Sequence, residues 1–412
     1  ARADYICDGT NDEVEIQAAI DALPSGGGKV QLLEGTFIVT PEITVPSNTA
    51  VKGVGLETTL KVTDGYAPGS MTAIIKNSAP GDYNIRITNL KIDGNRANVG
   101  GTNGYGIRFN GVGLVSYGTE QFGCIVENVS LKEISGKGIE LYSSYSGLVK
   151  NCTISLMNSD GISFWNSNYC SAIDCLVTGT ECYGIVLTRS NYCSFEGCTS
   201  LNNQVYLAIR SSSSYNTIDR LKITGPRKNR QTSETWCVEF KNNCNYNTIS
   251  DSTITQPRIS GVAGIAVRMQ TKCIGNIFKR VVIPGSYSTY GFHLSHQDDG
   301  KCHRTKIENC FIYNHGCNAI YVNKCDDVEI TGNQIIENGG RDEVANLRIS
   351  NGARHIITDN VIRKAAGTTY GIQMNGRTSK CIIKDNDLRS SGDIGTISID
   401  GDGHIITENI LE

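Results

Sequence analysis

The chain has 412 residues, of which 39% are hydrophobic and 19% charged, and this composition excludes a coiled coil, a collagen and a charge-rich disordered chain. The 38 Lys and Arg residues nearly balance 41 Asp and Glu, so no global positive field exists to hold nucleic acid or an anionic membrane surface. No apolar run is long enough to span a membrane, and residues 1–4 lack the pattern of a secretory leader. We therefore expect neither a nucleic-acid nor a membrane partner, although a leader removed earlier stays compatible with the sequence.

The first predicted element is a short helix. Residues 11–23 carry acidic side chains early and end before Pro24, as is typical of an amphipathic helix. A turn and a strand follow in residues 25–37. We expect residues 1–40 to cap the first turn of the fold that follows, because an open solenoid needs its ends covered.

The rest of the chain is a repeat of short alternating strands. Copies begin at Asp160, Tyr183 and Tyr206, with a spacing of 23 residues. Further copies begin at Tyr105, Lys137, Trp236, Ala263, Tyr290, Asn318, Ala345, Tyr370 and Gly395. No amphipathic helix fits between these strands, so equivalent strands must stack in parallel. The pattern predicts an all-β fold, a parallel β-helix of about 12 coils in one domain spanning residues 1–412.

Cysteine and asparagine recur at fixed positions of the repeat. Cys152, Cys175 and Cys198 are 23 residues apart, and so are Cys170 and Cys193. Asparagines fill the same positions in later copies, such as Asn333, Asn360 and Asn386 in the first register. We interpret both columns as inward-facing turn stacks of buried thiols and hydrogen-bonded amides. No Cys-x-x-Cys pair with zinc-ligand spacing occurs, so we predict that these cysteines bind no metal.

The opening segment resembles a known family. Asp-Gly-Thr-Asn-Asp at 8–12, Ile-Gln-Ala-Ala-Ile-Asp-Ala at 16–22, Gly-Gly-Gly-Lys-Val at 26–30 and Glu-Gly-Thr-Phe at 34–37 are similar to the start of pectate-lyase-like β-helix proteins. The resemblance implies a right-handed helix, a carbohydrate partner and an extracellular or cell-surface location. That superfamily contains polysaccharide lyases, glycoside hydrolases, uronan epimerases and phage tailspikes, so the fold alone names no reaction.

A shorter stretch is similar to one subgroup. Tyr-Gly-Phe-His at 290–293 resembles the Tyr-Gly-Phe-Asp-Pro-His stretch of alginate epimerases, but the Asp and the Pro are absent and Ser295 replaces the family His.

Aligning the copies on their Gly-Ile strands predicts two outward-facing columns. In this alignment Glu239, Ala266 and His293 share the first column, while Arg210, Lys241 and Arg268 share the second. Stacked like charges repel, and an anionic ligand would relieve that repulsion. Insertions at residues 226–235 and 295–303 flank this region. A uronate-containing polysaccharide fits such a surface.

We assign chemical roles on this basis. Elimination from a uronate requires a bound carboxylate, a base for the C5 proton and an acid for the leaving oxygen. Arg210 and Arg268 would bind the carboxylate, Lys241 would act as the base, and Tyr290 or His293 would donate the proton. Glu239 would orient Lys241 or bind a cation, for which calcium is the candidate cofactor. Further substrate-binding residues would be Trp165, Tyr183, Tyr206, Trp236, Arg108, Glu140 and Asp160.

Other functions stay open at this stage. The same residues would catalyse C5-epimerisation if a proton returned to C5 from the opposite face of the sugar. A glycoside hydrolase needs two carboxylates on one face, and the candidates are Glu140 with Asp160, or Glu239 with Asp298 or Asp299. A tailspike-like or adhesin-like glycan binder would need no base. The last strand, in residues 403–412, lacks a cap and predicts either a homo-oligomeric partner or a downstream segment.

Overall fold

The structure is a computed structural model that describes residues 4–67, 69, 72–101, 104–113, 123–225, 234–255, 263–285, 289–295, 302–338, 345–364, 367–368 and 370–411. The chain divides into two compact units, Ala1–Gln204 and Val205–Glu412, which we describe separately. Strands of both units form a parallel β-solenoid of about 12 turns, with one short helix. The predicted fold class is confirmed, and the single-domain interpretation stays a prediction.

The N-terminal unit begins with the predicted helix, α1 (Glu13–Asp21). Ile16 and Ile20 point from it into the core and are each 2% exposed. Asp12, just before the helix, is buried and accepts hydrogen bonds from the backbone N–H groups of Gly9 at 2.8 Å and Ile38 at 2.6 Å. These bonds tie the helix to the first coil. Within the described residues, no helix is long and apolar enough to cross a membrane.

The strands of the N-terminal unit are short. Their bounds are β1 (Gly28–Gln31), β2 (Gly35–Val39), β3 (Ile43–Val45), β4 (Thr49–Lys52), β5 (Thr58–Val62), β6 (Ala73–Asn77), β7 (Ile85–Asp93), β8 (Tyr105–Asn110), β9 (Cys124–Lys132), β10 (Lys137–Tyr142), β11 (Leu148–Lys150), β12 (Thr153–Ser155), β13 (Ile162–Trp165), β14 (Ser171–Ile173), β15 (Leu176–Thr178), β16 (Tyr183–Thr188), β17 (Ser194–Glu196) and β18 (Thr199–Leu201).

The C-terminal unit continues the same pattern. Its strands are β19 (Val205–Arg210), β20 (Thr217–Asp219), β21 (Lys222–Thr224), β22 (Glu234–Lys241), β23 (Thr248–Ser250), β24 (Thr253–Thr255), β25 (Ala263–Gln270), β26 (Ile277–Lys279), β27 (Val282–Pro284), β28 (Thr289–Ser295), β29 (Lys306–Glu308), β30 (Phe311–Tyr313), β31 (Ile320–Asn323), β32 (Glu329–Thr331), β33 (Gln334–Asn338), β34 (Leu347–Ala353), β35 (Ile356–Thr358), β36 (Val361–Lys364), β37 (Tyr370–Ser379), β38 (Ile382–Lys384), β39 (Gly395–Ile399) and β40 (Ile405–Thr407).

One strand of nearly every coil belongs to a sheet that we call the site sheet. In the N-terminal unit this sheet contains β3, β6, β8, β10, β13 and β16, and in the C-terminal unit β19, β22, β25, β28, β31, β34, β37 and β39. Neighbouring strands pair in parallel, as where Ile139 lies opposite Ile162 and Ile162 opposite Ile185. Inward side chains such as Phe164 and Phe292 are 0% exposed, so the stacked apolar columns form the core.

The turn columns have the predicted character. The backbone N–H of Asn333 donates to the side-chain oxygen of Asn360 at 3.0 Å, and Asn360 bonds Asn386 in the same way. Cys152 and Cys175 are 1% exposed, and each thiol lies within hydrogen-bond distance of a backbone carbonyl. All sixteen cysteines are thiols rather than disulfides. The columns therefore satisfy turn backbone from within the core.

Candidate active site

The strand pairing corrects one part of the predicted alignment. Arg268 lies opposite Glu239 on one side and His293 on the other, whereas Lys241 lies opposite Gln270. The predicted stack of Arg210, Lys241 and Arg268 is therefore wrong in register by two residues at β25. A shift of two residues keeps every side chain on its face of the sheet, so alternation could not distinguish the two pairings. Arg210 and Lys241 do lie opposite each other, as predicted.

The corrected pairing defines a column of side chains on the site sheet of the C-terminal unit. Glu239, Arg268, His293, Tyr321 and Arg348 occupy equivalent positions on β22, β25, β28, β31 and β34. Successive members are about 4.8 Å apart along the solenoid, the usual spacing of paired strands. We call this set the charged column. It brings together a carboxylate, two guanidinium groups, an imidazole and a phenol.

His293 lies between aromatic rings in the middle of the column. Its ring centroid is 5.4 Å from that of Tyr290, at an interplanar angle of 28°, and 5.1 Å from that of Tyr321. Burial, together with the positive charge of Arg268, lowers the pKa of His293 to about 4. Within the described structure its buried Nδ1 has no hydrogen-bond partner. The imidazole is therefore neutral at pH 7 and able to accept a proton.

The pKa of Tyr290 is shifted upward, in contrast to that of His293. Burial is the main cause that raises the pKa of this phenol to about 12, with smaller contributions from Cys317 and Tyr321, and the charge of Arg348 acts against the shift. The hydroxyl group is therefore protonated at neutral pH. A neutral imidazole and a protonated phenol thus lie side by side, which is a pair able to accept one proton and donate another.

The two guanidinium groups of the column lie against aromatic faces. Arg268 Cζ lies 4.6 Å from the centroid of the Trp236 ring, and Arg348 Cζ lies 5.8 Å from that of Tyr321. Such stacking holds a guanidinium flat, and the Nε and Nη2 groups of Arg268 also donate to the side-chain oxygen of Gln270 at 2.8 and 2.5 Å. The predicted residues Trp236, Arg268, Tyr290 and His293 are therefore brought together with Tyr321 and Arg348, for which the sequence analysis assigned no role.

Glu239, at the other end of the column, forms an ion pair with Arg210. Its side chain is 4% exposed, and its Oε2 lies 3.5 Å from Nε of Arg210, whose side chain is 31% exposed. Lys241 lies in the adjacent column, partly exposed, between Arg210 and Gln270. The predicted base is thus near the cluster but not within it.

A second group of charges occupies the site sheet of the N-terminal unit. Arg108 Nε lies 2.8 Å from Glu140 Oε2, and Lys137 Nζ lies 2.6 Å from Glu140 Oε1 and 3.4 Å from Asp160 Oδ2. We call these four residues the ion-pair network. Burial raises the pKa of Asp160, with Lys137 acting against the shift. The side chains are between 2% and 14% exposed, so the charges neutralise one another inside the protein.

This network contains three of the predicted substrate-binding residues, whose role stays a prediction. Arg108 pairs with Glu140, and Lys137 at the start of β10 reaches the carboxylates of both Glu140 and Asp160. The same contacts engage the carboxylate pair that a hydrolase would need. Trp165 is 37% exposed, and the Lys137 ammonium lies 5.0 Å from the centroid of its ring.

Other predicted positions fall outside the charged column. Tyr206 is 0% exposed and burial raises the pKa of its phenol, so it offers no surface for a sugar ring, which corrects that assignment. Tyr183 is partly exposed in the N-terminal unit. Most of the two insertions, with Asp298 and Asp299, lies outside the described residues.

Among the described residues, no three Asp or Glu side chains lie close enough together to share an ion. The one group of three His, Cys, Asp or Glu side chains close enough to share an ion there consists of Cys7, Asp12 and Glu15. Calcium prefers all-oxygen ligand sets, and a thiol does not belong to one. Glu239, the predicted cation ligand, pairs with Arg210 instead.

Comparison with known proteins defines the class first. A family model described as a right handed beta helix region matches residues 74–229. The A-module of mannuronan C-5 epimerase AlgE6 from Azotobacter vinelandii superposes with a TM-score of 0.53 at 18% identity, covering 99% of this chain and 97% of that one. The tailspike protein of E. coli bacteriophage HK620 gives a TM-score of 0.62 at 12% identity, covering 98% and 77%. The chain is thus a right-handed β-helix protein.

Sequence similarity then points to particular relatives. Mannuronan C5-epimerase AlgE5 of Azotobacter vinelandii is 36% identical over 146 residues, which cover 32% of this chain and 14% of the relative. Alginate lyase 7 of the same organism is 34% identical over 145 residues, which cover 31% and 16%. The matched segment is thus less than a fifth of the length of either relative.

Proposed function

We propose that the protein is an enzyme that acts on a uronate-containing polysaccharide by removing the C5 proton, with β-elimination or C5-epimerisation as the outcome. The observation that carries the proposal is a neutral His293 flanked by Arg268 on one strand and by Tyr290 and Tyr321. Partial similarity to epimerases and to an alginate lyase supports the same chemistry. An extracellular or cell-surface location is part of the proposal, because polysaccharides of this kind are polymers of the cell exterior.

Arg268 supplies the first requirement of this chemistry. The C5 proton of a uronate is weakly acidic, and it becomes removable when the adjacent carboxylate is neutralised by a fixed positive charge. A guanidinium attracts a carboxylate and donates charged hydrogen bonds to it, and contacts with the Trp236 ring and the Gln270 side-chain oxygen hold Arg268 in place. The substrate carboxylate would therefore sit on Arg268, with C5 beside the next strand.

His293 and Tyr290 supply the proton transfers. His293 on that next strand accepts the proton as the C5–H bond breaks, since its imidazole is neutral at working pH. In elimination the electron pair forms the C4–C5 double bond, the C4–O bond breaks, and the leaving oxygen takes a proton from the Tyr290 hydroxyl. In epimerisation a proton returns to C5 from the opposite face. Lys241 then contacts the polymer in the adjacent column rather than serving as the base.

A glycoside hydrolase receives less support from the same structure. Its two carboxylates would be Glu140 and Asp160, and both are engaged by Lys137 in a nearly closed network. Calcium stays a candidate cofactor within the proposal, because a divalent cation can bridge substrate carboxylates. Measuring the activity before and after chelation, and after calcium is added back, tests that part.

One assay separates the candidate reactions. Pectate, alginate, glucuronan and glycosaminoglycans are incubated with the protein in D₂O, and the products are examined by NMR and by ultraviolet absorbance. C5-epimerisation incorporates deuterium at C5 without new chain ends, whereas elimination yields unsaturated uronides that absorb in the ultraviolet. New reducing ends without unsaturation would indicate a hydrolase, and binding without any product would indicate a glycan binder. Either of those results would overturn the proposal.

A further inference from the structure

Arg348 lies at a fixed distance from the proposed catalytic residues. It is opposite Tyr321, which is opposite His293, which is opposite Arg268. The two arginines are therefore three strand spacings apart, about 14 Å along the solenoid. The side chains between them are the imidazole and phenol rings of His293 and Tyr321.

The charge of Arg348 has no anionic partner in the part of the chain that the structure describes. Its polar neighbour is the neutral amide of Asn375, 2.9 Å from Nη2, and its buried Nε has no hydrogen-bond partner there. Arg354, six residues later, contrasts with it, because its guanidinium binds Asp327 with two contacts of 2.6 and 2.8 Å. A buried donor without an acceptor is unfavourable, so a bound anion would stabilise Arg348.

We propose that Arg348 binds the carboxylate of a second uronate residue in the same polymer chain, which lies along the charged column. This inference rests on the proposed function. A pyranose residue in an extended 1,4-linked chain advances by nearly one strand spacing, so one sugar would lie over each coil. With the reacting residue held by Arg268, the residue held by Arg348 is three positions further along, where a chain that completes one turn every three residues again presents its carboxylate to the sheet. The ring of Tyr321 lies under the sugars between them.

The proposal assigns a specificity to the site. The enzyme would need four consecutive residues for full activity, and the fourth would have to be a uronate. A neutral sugar at that position would leave the guanidinium without its acceptor. Arg348 would act on substrate binding and positioning rather than on the proton transfer itself.

The test compares uronate oligomers of two and four residues. The wild-type protein is expected to have a higher kcat/KM for the tetramer than for the dimer. In Arg348→Gln the ratio of kcat/KM for the tetramer to that for the dimer should fall about tenfold, the factor expected for one charge-assisted pair. Arg348→Lys keeps the charge but not the paired hydrogen bonds, and should restore part of the advantage. Arg354→Gln removes the same group from the Asp327 pair and should leave the ratio unchanged.

A change in the substrate tests the same contact without relying on the folding of a variant. Tetramers in which the terminal carboxyl group is reduced to an alcohol should react with the wild-type protein about tenfold more slowly than native tetramers. Arg348→Gln should not distinguish the two. The inference would be overturned if Arg348→Gln lowered kcat/KM equally for the dimer and the tetramer. It would also be overturned if the wild-type protein reacted equally fast with native and reduced tetramers. Failure of the wild type to act on any uronate would instead overturn the proposed function.

Discussion

The ion-pair network and the charged column occupy the same sheet position in the two units, but they differ in how their charges are compensated. In the network, Glu140 binds both Arg108 and Lys137, and Lys137 also reaches Asp160, so two cations face two carboxylates. In the column, Glu239 pairs with Arg210, while the described residues give Arg348 no carboxylate. The difference suggests that the network stabilises its coil, whereas the column is built for an anionic ligand.

The largest expected effect is the loss of proton transfer. His293→Ala should lower kcat on the preferred uronate polymer by about 10³-fold, since general base catalysis contributes factors of that order. Because the His293 ring packs against Tyr290 and Tyr321, an unfolding curve is recorded to check that the variant is folded under the assay conditions. The measurement is deuterium incorporation at C5 if the wild type epimerises, and ultraviolet absorbance of unsaturated products if it eliminates. A variant that keeps more than a tenth of the activity would show that another group removes the proton.

The second effect tests the network as a structural element. Glu140→Ala leaves Lys137 and Arg108 buried without their shared carboxylate, and should lower the free energy of unfolding by about 3–4 kcal/mol. Glu127→Ala removes a carboxylate from an exposed pair with Lys150 at 3.9 Å and should cost no more than about 0.5 kcal/mol. Denaturant unfolding measures both. Equal losses for the two variants would contradict the distinction between the network and the surface.

The third effect concerns pH. His315 is fully buried, its ring lies 2.9 Å from Thr289 Oγ1 and 3.2 Å from the Ile283 carbonyl oxygen, and burial lowers its pKa to about 4. The unfolded chain takes up the proton near pH 6.5 and the folded chain only near pH 4, so stability falls as the pH drops through this range. Protonation of His315 in the unfolded chain therefore lowers the free energy of unfolding by up to about 3 kcal/mol at acidic pH.

The same measurement sharpens the comparison between the units. Burial lowers the pKa of His293 and His355 to about 4, so these residues add to the acid sensitivity of the C-terminal unit. Asp160 acts in the opposite direction, because its raised pKa lets the folded network bind a proton before the unfolded chain does. Unfolding free energies at pH 7 and pH 5 should therefore differ less in His315→Gln than in the wild type. An unchanged difference would contradict this assignment.

The smallest effect distinguishes the corrected site from the original hypothesis. Lys241→Ala should reduce kcat/KM no more than about fivefold, because Lys241 lies in the adjacent column and would contact only the polymer. Its pH–rate profile should match that of the wild type. Complete loss of activity in this variant, with a normal unfolding curve, would restore Lys241 as the base.

The sequence predicts the architecture because the repeat constrains it at many positions at once. Spacings of 23 residues place Cys152 under Cys175 and Ile139 under Ile162, and the paired strands confirm both the fold and its inward columns. Each coil repeats the same requirement for small turn residues and apolar strands. An error in one coil therefore does not disturb the overall interpretation.

The candidate site is less predictable because it depends on single coils. Arg268 changes column through a two-residue difference in pairing, which leaves its exposed face unchanged. Lys137 reaches Glu140 from three residues earlier in the chain, a separation that strict alternation places on opposite faces. Tyr206 is the first or second residue of its strand, as Tyr183 and Tyr290 are, yet of these three only Tyr206 is fully buried. The alignment also places Tyr321 and Arg348 in the column of His293, but without the corrected position of Arg268 nothing marks them as part of a site.

The pairing of β25 also bears on how such a site can diversify. Because pairing decides which residue of a strand lies beside its neighbour, a two-residue change in the register of β25 would move an arginine from one column of the site sheet to the next. The amino acids on the exposed face of the site sheet would stay the same. The order in which a polymer lying along the sheet meets them would change. Solenoid enzymes can thus acquire new substrate preferences through changes in strand register alone, without any substitution at the positions that touch the sugar.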